Sequence, residues 1–387
     1  MRLEAIDLLR GLVIVVMALD HVHDYFSISA GVFEPTDLSR TTGALFLTRW
    51  ITHFCAPVFV FLAGVGAFQA SVRGRTKTEL SRLLLTRGLW LIALEVAFIT
   101  PFGWSFQLTW SLIRLQVIWV IGCLMVILSG VVWLPSRLVG WVGLVIAITH
   151  NLFDGDRGRS LGPIWQYLHS MQFIKASEGH TVASLYPIVP WVGVMMTGYG
   201  QGEIWGWAAE RRRQHLCAGG IVCLGSFVLM RLTNWYGDPS PWTPQPDFVF
   251  SLFSVLNVTK YPPSLSFLLM TLGPALLALR WLEVETRVGL RWLLVFGRVP
   301  LFFYRIHLPL IHGLAVLLSL LIHGDAAWLF RDPFALRRGP IAAASSYGFE
   351  LPVVYLLLVV CVAVLYPLCR WYGAMKQQSK HPLLSYL

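Results

Sequence analysis

The sequence predicts an all-α integral membrane protein, a polytopic bundle of about ten transmembrane helices forming one domain over residues 1–387. Three observations carry this. The chain is 56% hydrophobic and only 13% charged, with a mean hydropathy of +0.65, whereas a soluble chain carries roughly 25% charge. Apolar stretches recur at spanning length, about 17 to 25 residues. They are apolar all round rather than alternating, which excludes the strands of a closed β-barrel.

Spans are expected near residues 4–26, 45–70, 83–100, 109–133 and 138–151, then 184–205, 215–233, 263–282, 293–322 and 350–371. The first contains IDLLRGLVIVVMALDHVHDYF (6–26), apolar without interruption only from Gly11 to Leu19. Crossing therefore carries Asp7, Arg10, Asp20, His21, His23 and Asp24 to or near membrane depth, where ionisable groups are costly and usually functional. Arg10 and His21 are eleven residues apart, about three turns plus 20°, so they share a helix face roughly 16 Å apart. Asp20 and Asp24 are at i, i+4, and Asp24 lies three residues from His21, within reach of its ring. A carboxylate beside an imidazole fixes its tautomer and raises its basicity, as a general base requires. His23 points about 200° away from His21, so the two cannot share a metal on one continuous helix. No metal is expected.

WITHFCAPVFVFLAGVGAF (50–68) opens the second span with His53 at its outer end; Ala63, Gly64, Gly66 and Ala67 then form a seam for close helix packing. Glu95, Arg114 and Gln116 add polar atoms to the middle spans, where Glu95 and Arg114 can neutralise each other. The 138–151 span is short. Ahead of 263–282, Pro262 and Pro263 set the helix entry, and Asn257, Thr259, Lys260 and Tyr261 form a polar rim before it. FGRVPLFFYRIHLPLIH (296–312) buries Arg298, Tyr304, Arg305, His307 and His312 in an aromatic run, with a break expected at Pro300 or Pro309. Arg305 and His307 are deep enough to call for an anionic partner or a water-filled cavity.

Ten spans put both termini on one side. RGRTKTELSR (73–82), AERRRQ (209–214), RWLEVETRVGLR (280–291) and the tail KQQSKH (376–381) share it and hold most of the clustered Lys and Arg, which makes it the cytoplasm. The longer connections on the other side carry Gly, Pro, Asp and aromatics together with Arg157, Arg159, Lys175, Arg331, Arg337 and Arg338. The net charge of +10 is thus a membrane-topology signal, and no nucleic-acid partner is expected. The six cysteines lack zinc or disulfide spacing and read as small buried hydrophobes. No cleavable signal peptide is expected, and no inverted repeat of a transporter kind is visible.

Six stretches together, IDLLRGLVIVVMALDH, WITHFCAPVFVFLAGVGAF, LIRLQVIWVIG, NVTKYPPSLSFLLMTLG, FGRVPLFFYRIHLPLIH and YPLCRWYGAMKQQSKHPLLSYL, resemble bacterial membrane proteins classed with the heparan-alpha-glucosaminide N-acetyltransferase catalytic domain. The likeness covers essentially the whole chain. The wider transmembrane acyltransferase group is similar in placing Arg and then His about eleven residues on in its first helix, which maps onto Arg10 and His21. The resemblance implies a bacterial inner-membrane enzyme, with acetyl-CoA or another acyl-CoA as cytoplasmic co-substrate and a hydroxyl or amine of an extracytoplasmic sugar or glycan as acceptor. The lysosomal enzymes lack the DH pair, and their catalytic histidine comes later, toward the second span. His53 is the nearest counterpart, so His21 and His53 both stand as catalytic candidates, with Asp20 or Asp24 orienting His21.

Under this reading Arg10 and Arg298 would meet the phosphates of acyl-CoA. Asn257, Lys260, Tyr261, Arg305 and His307 would line the acceptor site. Trp165, Tyr167, Trp235, Tyr236 and Trp242 either stack on sugar rings or form an interface belt. Direct transfer and an acyl-histidine route are both open. So is a homodimer in the bilayer. The rival class is an exporter of an anionic small molecule that uses the same buried Arg and His.

Overall fold

A computed structural model describes residues 4–30, 32–106, 108–283, 288–330 and 347–378. Arg331, Arg337, Arg338, residues 284–287 of the 280–291 connection and residues 379–387 of the tail lie outside the described residues. In chain order the helices are α1 (Glu4–Phe26), α2 (Gly43–Thr52), α3 (Cys55–Ser71) and α4 (Lys77–Leu94), which widens into a π-helical stretch, Glu95–Ser105. A short strand β1 (Leu112–Leu115) precedes α5 (Val117–Val131) and α6 (Ser136–Thr149), and a 3-10 turn (His150–Phe153) leads to α7 (Gly155–Ser160) and α8 (Pro163–His169). The hairpin β2 (Gln172–Ser177) and β3 (His180–Ser184) is followed by α9 (Ile188–Gln201), α10 (Ala209–Thr233), α11 (Phe248–Leu256) and α12 (Leu265–Glu283). Last come α13 (Leu293–Gly297), α14 (Pro300–His323) and α15 (Leu351–Gln378).

The protein is an all-α, multi-pass membrane protein. Seven helices among the described residues are long and apolar enough to cross a membrane: 43–71, 77–104, 136–153, 209–233, 265–283, 300–323 and 351–378. The other three expected spans coincide with α1, which is long but carries too much charge, and with α5 and α9, which have only 15 and 14 residues. Residues 109–116, expected to begin a span, instead supply β1, which pairs in the order β1-β3-β2. The long 293–322 segment breaks at Pro300, where the missing N–H is tolerated at a helix start, and runs on through Pro309. The 45–70 segment is interrupted at His53 and Phe54, between α2 and α3.

The chain divides into two compact units. The first comprises Met1–Cys55, Ala97–Leu112 and Arg287–Leu387. In it α1 packs against α2, α13, α14 and α15. Two glycines set how closely α1 and α13 approach. A Cβ on Gly297 would lie 1.8 Å from the Asp7 carbonyl oxygen, and one on Gly11 would lie 2.1 Å from that of Leu293. Only hydrogen fits at either position, so the two backbones touch. On α15, Leu356, Val359 and Val360 are exposed, as expected of a lipid-facing surface.

The second unit comprises Ala56–Val96 and Ile113–Thr286. It is built from the helix pairs α4 with α5, α6 with α9, and α10 with α12. Within the expected small-residue seam of α3, a Cβ on Gly64 would meet the Met195 carbonyl oxygen at 2.1 Å and Ala67 is buried, while Gly66 faces open space. Glu95 is buried and accepts from the Trp119 N–H at 3.3 Å, at the start of α5.

Candidate active site

Because α1 runs unbroken, the phase read from the sequence applies along its whole length. Near its start Arg10 donates to Asp7 at 3.0 Å and to the carbonyl of Gly297 at 3.3 Å. Three turns on, His21 is buried, with its Nδ1 3.8 Å from an Asp24 oxygen. Asp20 turns elsewhere: it accepts from Arg49 and, at 2.8 Å, from the Thr52 hydroxyl, tying α1 to α2. Of the two carboxylates expected to orient His21, Asp24 is the one beside its ring. His23 makes a hydrogen bond of 3.2 Å between its Nε2 and the Ser29 hydroxyl.

His307 reaches the same place from α14. Its ring centroid is 5.2 Å from that of His21, and the edge of Trp104 closes on His21 at 5.4 Å. His307 Nδ1 lies 2.8 Å from the Tyr304 carbonyl and 3.1 Å from that of Phe303. Carbonyls only accept, so Nδ1 carries the proton and Nε2 keeps its lone pair. That Nε2 is fully buried and has no hydrogen-bond partner among the described residues. The wall beyond is aromatic: Tyr25 donates to the carbonyls of Gly103 and Trp104, both at 3.1 Å, and stacks on His312, which stacks in turn on Phe106. Arg305, expected to need an anion or water, places its guanidinium over the ring of Phe98, 4.9 Å from the centroid, an attraction that partly offsets desolvation.

Close to the α13–α14 break is a cleft of about 400 Å³ lined by Val295, Arg298, Cys369, Arg370, Gly373 and Lys376, among others. Arg298 also lies 3.6 Å from Glu4. The cleft is thus the basic end of a unit whose buried interior holds the His21–His307 pair.

A family model described as heparan-alpha-glucosaminide N-acetyltransferase, catalytic, matches residues 2–229. This covers more than half of the chain. The chain belongs to that family. Comparison with curated proteins gives no match. Family membership makes the chain a membrane acetyltransferase-type protein. His21, Asp24 and His53 fall inside the matched region, and Arg298 and His307 fall beyond it.

Of the remaining expected positions in this member of the family, His53 is buried and closes α2 as its C-terminal cap, its backbone N–H reaching back to Trp50. In the second unit, Lys260 sits 5.3 Å over the Tyr261 ring, Tyr261 packs edge-on against Tyr186, and Asn257 caps α11. Their arrangement depends on a residue that sequence reasoning passed over. The guanidinium of Arg231, 2% exposed, donates to the carbonyls of Ser240, Ser254, Val255 and Asn257 and lies 4.0 Å from Asp238. Asp238 in turn accepts from the Thr259 N–H and hydroxyl and from Ser264. An Arg inside an apolar helix was the available signal.

A second cluster was also missed. His150, Asp154 and His169 bring ligand-capable atoms within 4.8 Å of one another, one such group among the described residues. Burial holds the His169 imidazole below its ordinary pKa, against the opposing pull of Asp154. Trp165 stacks on His169 with ring centroids 5.3 Å apart, while Trp235 is strongly exposed. The loop aromatics therefore divide between packing and surface.

Proposed function

We propose that the protein transfers an acetyl, or other acyl, group from cytoplasmic acyl-CoA to a hydroxyl or amine of a sugar or glycan on the extracytoplasmic side of a bacterial inner membrane. The observation that carries this is the pairing of His21 with His307 in a buried, aromatic-walled site within a chain of acetyltransferase family. The Arg298, Arg370 and Lys376 cleft has the charge to take the donor's phosphates. Arg10, ion-paired with Asp7 and about 16 Å along α1 from His21, would then stand along the path of the pantetheine arm.

In this mechanism the acceptor's hydroxyl or amine hydrogen-bonds to an imidazole lone pair at the paired histidines. His21, with Asp24 beside Nδ1, removes the acceptor's proton as its oxygen or nitrogen attacks the thioester carbonyl. The tetrahedral intermediate collapses, the C–S bond breaks, and the imidazolium returns the proton to the CoA thiolate. His307 presents a second lone pair that fixes the acceptor's orientation. An acyl-histidine on His21, discharged in a second step by the acceptor, balances equally well. His53 is the competing base under the same overall reaction.

The experiment is purified protein with radiolabelled acetyl-CoA and a panel of simple sugars, an α-glucosaminide among them. Acceptor-dependent CoA release, or label held on the protein, that disappears in His21→Ala is the expected result. Absence of acetyl-CoA binding together with flux of an anionic solute into liposomes would overturn it in favour of export. Loss of turnover in His53→Ala but not in His21→Ala would move the base to His53 and leave the reaction class standing.

A further inference from the structure

We propose that His150, Asp154 and His169 form a site for a divalent transition-metal ion, zinc foremost. The three come from separate pieces of the second unit: His150 from the turn after α6, Asp154 from the cap of α7, and His169 from the end of α8. Both imidazoles are buried, each 1% exposed. His150 Nδ1 and His169 Nε2 lie 3.3 Å apart, and Asp154 Oδ1 is 3.7 Å from His169 Nε2. Tetrahedral zinc bound by nitrogens at about 2.0–2.1 Å sets those nitrogens about 3.3 Å apart. The imidazole pair already has that spacing, the carboxylate must close on His169 by a few tenths of an ångström, and all three ligand atoms lie within 4.8 Å of one another.

The proton inventory argues the same way. His169 Nε2 faces the His150 carbonyl at 3.0 Å as well as His150 Nδ1 and Asp154 Oδ1. If Nε2 carries a proton, one N–H is shared among three acceptors. If it does not, the His169 Nε2, His150 carbonyl and Asp154 Oδ1 lone pairs converge with at most the one proton of His150 Nδ1 among them. A cation held by His150 Nδ1, His169 Nε2 and Asp154 Oδ1 satisfies those three atoms at once, with the His150 proton on Nε2 and the His169 proton on Nδ1. The surroundings are built to hold the ligands in place. Asn151 donates to the other Asp154 oxygen at 2.7 Å, fixing the carboxylate, and Trp165 stacks on His169 while itself packing against Phe153. Such outer contacts orient ligands and keep water from the metal. Two imidazoles and one carboxylate suit zinc or its transition-metal neighbours and disfavour magnesium and calcium, which prefer oxygen ligands. Bound there, the ion clips the turn after α6 and the start of α7 to the end of α8.

The test uses the full chain in detergent, free of any affinity tag, stripped with a chelator and then dialysed against micromolar Zn²⁺. Elemental analysis is expected to find about one zinc per chain. Co²⁺ in its place is expected to give the intense visible bands of a four-coordinate site. His150→Gln and His169→Gln should each lose the stoichiometric metal, and Asp154→Asn should weaken binding by at least about 10-fold. Wild-type protein that takes up no zinc and gives no such cobalt spectrum overturns the proposal whatever the variants do. Folded variants, judged by size exclusion and circular dichroism, that retain the full metal content overturn it too. Metal content is read without reference to acetyl transfer, so this result and that of the transfer assay stand apart.

Discussion

The imidazoles of His21 and His307 lie 5.2 Å apart although 286 positions separate them in the chain, one on α1 and the other on α14. The Nε2 of His307 keeps its lone pair because backbone carbonyls of its own helix hold the Nδ1 proton. Two bases with these supports have distinguishable roles. His21→Ala is expected to lower kcat for acetyl transfer by about 10² to 10⁴, the usual worth of a positioned general base. His307→Gln is expected to lower kcat by roughly 10-fold with KM for acyl-CoA little changed, since it alters acceptor orientation and leaves the base in place. Steady-state kinetics on the two variants checks both.

Asp20 and Asp24 are one turn apart on α1 and do different things. Asp24 stands by the His21 ring, whereas Asp20 holds Arg49 and Thr52. Asp24→Asn should therefore reduce kcat with little loss of thermal stability. Asp20→Asn should do the reverse, lowering stability by about 1–3 kcal/mol because it leaves the partly buried Arg49 without its carboxylate. Thermal unfolding in detergent set beside kcat separates the two. Equal effects of both variants on kcat would sink the distinction.

Replacing Arg298 or Arg370 by Gln is expected to raise KM for acyl-CoA about 10-fold, the worth of one charge-assisted hydrogen bond, while kcat stays within roughly two-fold. The wild-type KM should rise with ionic strength, and the double variant should have lost most of that salt dependence. Dephosphorylated donor analogues tested on wild type and variant close the cycle: their affinities should converge if the cleft reads phosphate.

Membrane class and most helices were legible because they depend on local composition, and the Arg10–His21 stripe was legible because helical phase is local arithmetic on an unbroken α1. Where the chain departs from simple spans, the cause is tertiary. Residues 112–115 pair as an edge strand of a three-stranded sheet; the interruption after α2, by contrast, falls at His53 because Pro57, in the first turn of α3, has no N–H to give the His53 carbonyl, a local signal that was there to be read. His150 and His169 meet only because a 3-10 turn and two short helices fold the intervening residues back. His21 and His307 likewise meet only through packing, so α14 could be flagged from its buried polar residues but not assigned a partner.

Arg231 offers the sharpest test of that tertiary layer. Its guanidinium serves four carbonyls within residues 240–257 and approaches Asp238, which itself holds Thr259 and Ser264. Removing the cation strands those carbonyls and leaves Asp238 buried without a countercharge, at a cost of about 3–5 kcal/mol. Arg231→Met should thus lower thermal stability and expose residues 234–264 to protease. Arg231→Lys keeps the charge but not the planar fork, so it should recover only part of the loss. If Lys restores full protease resistance, charge neutralisation of Asp238 is what matters. If Lys behaves like Met, the fork's simultaneous grip on several carbonyls is what orders the segment that carries Asn257, Lys260 and Tyr261.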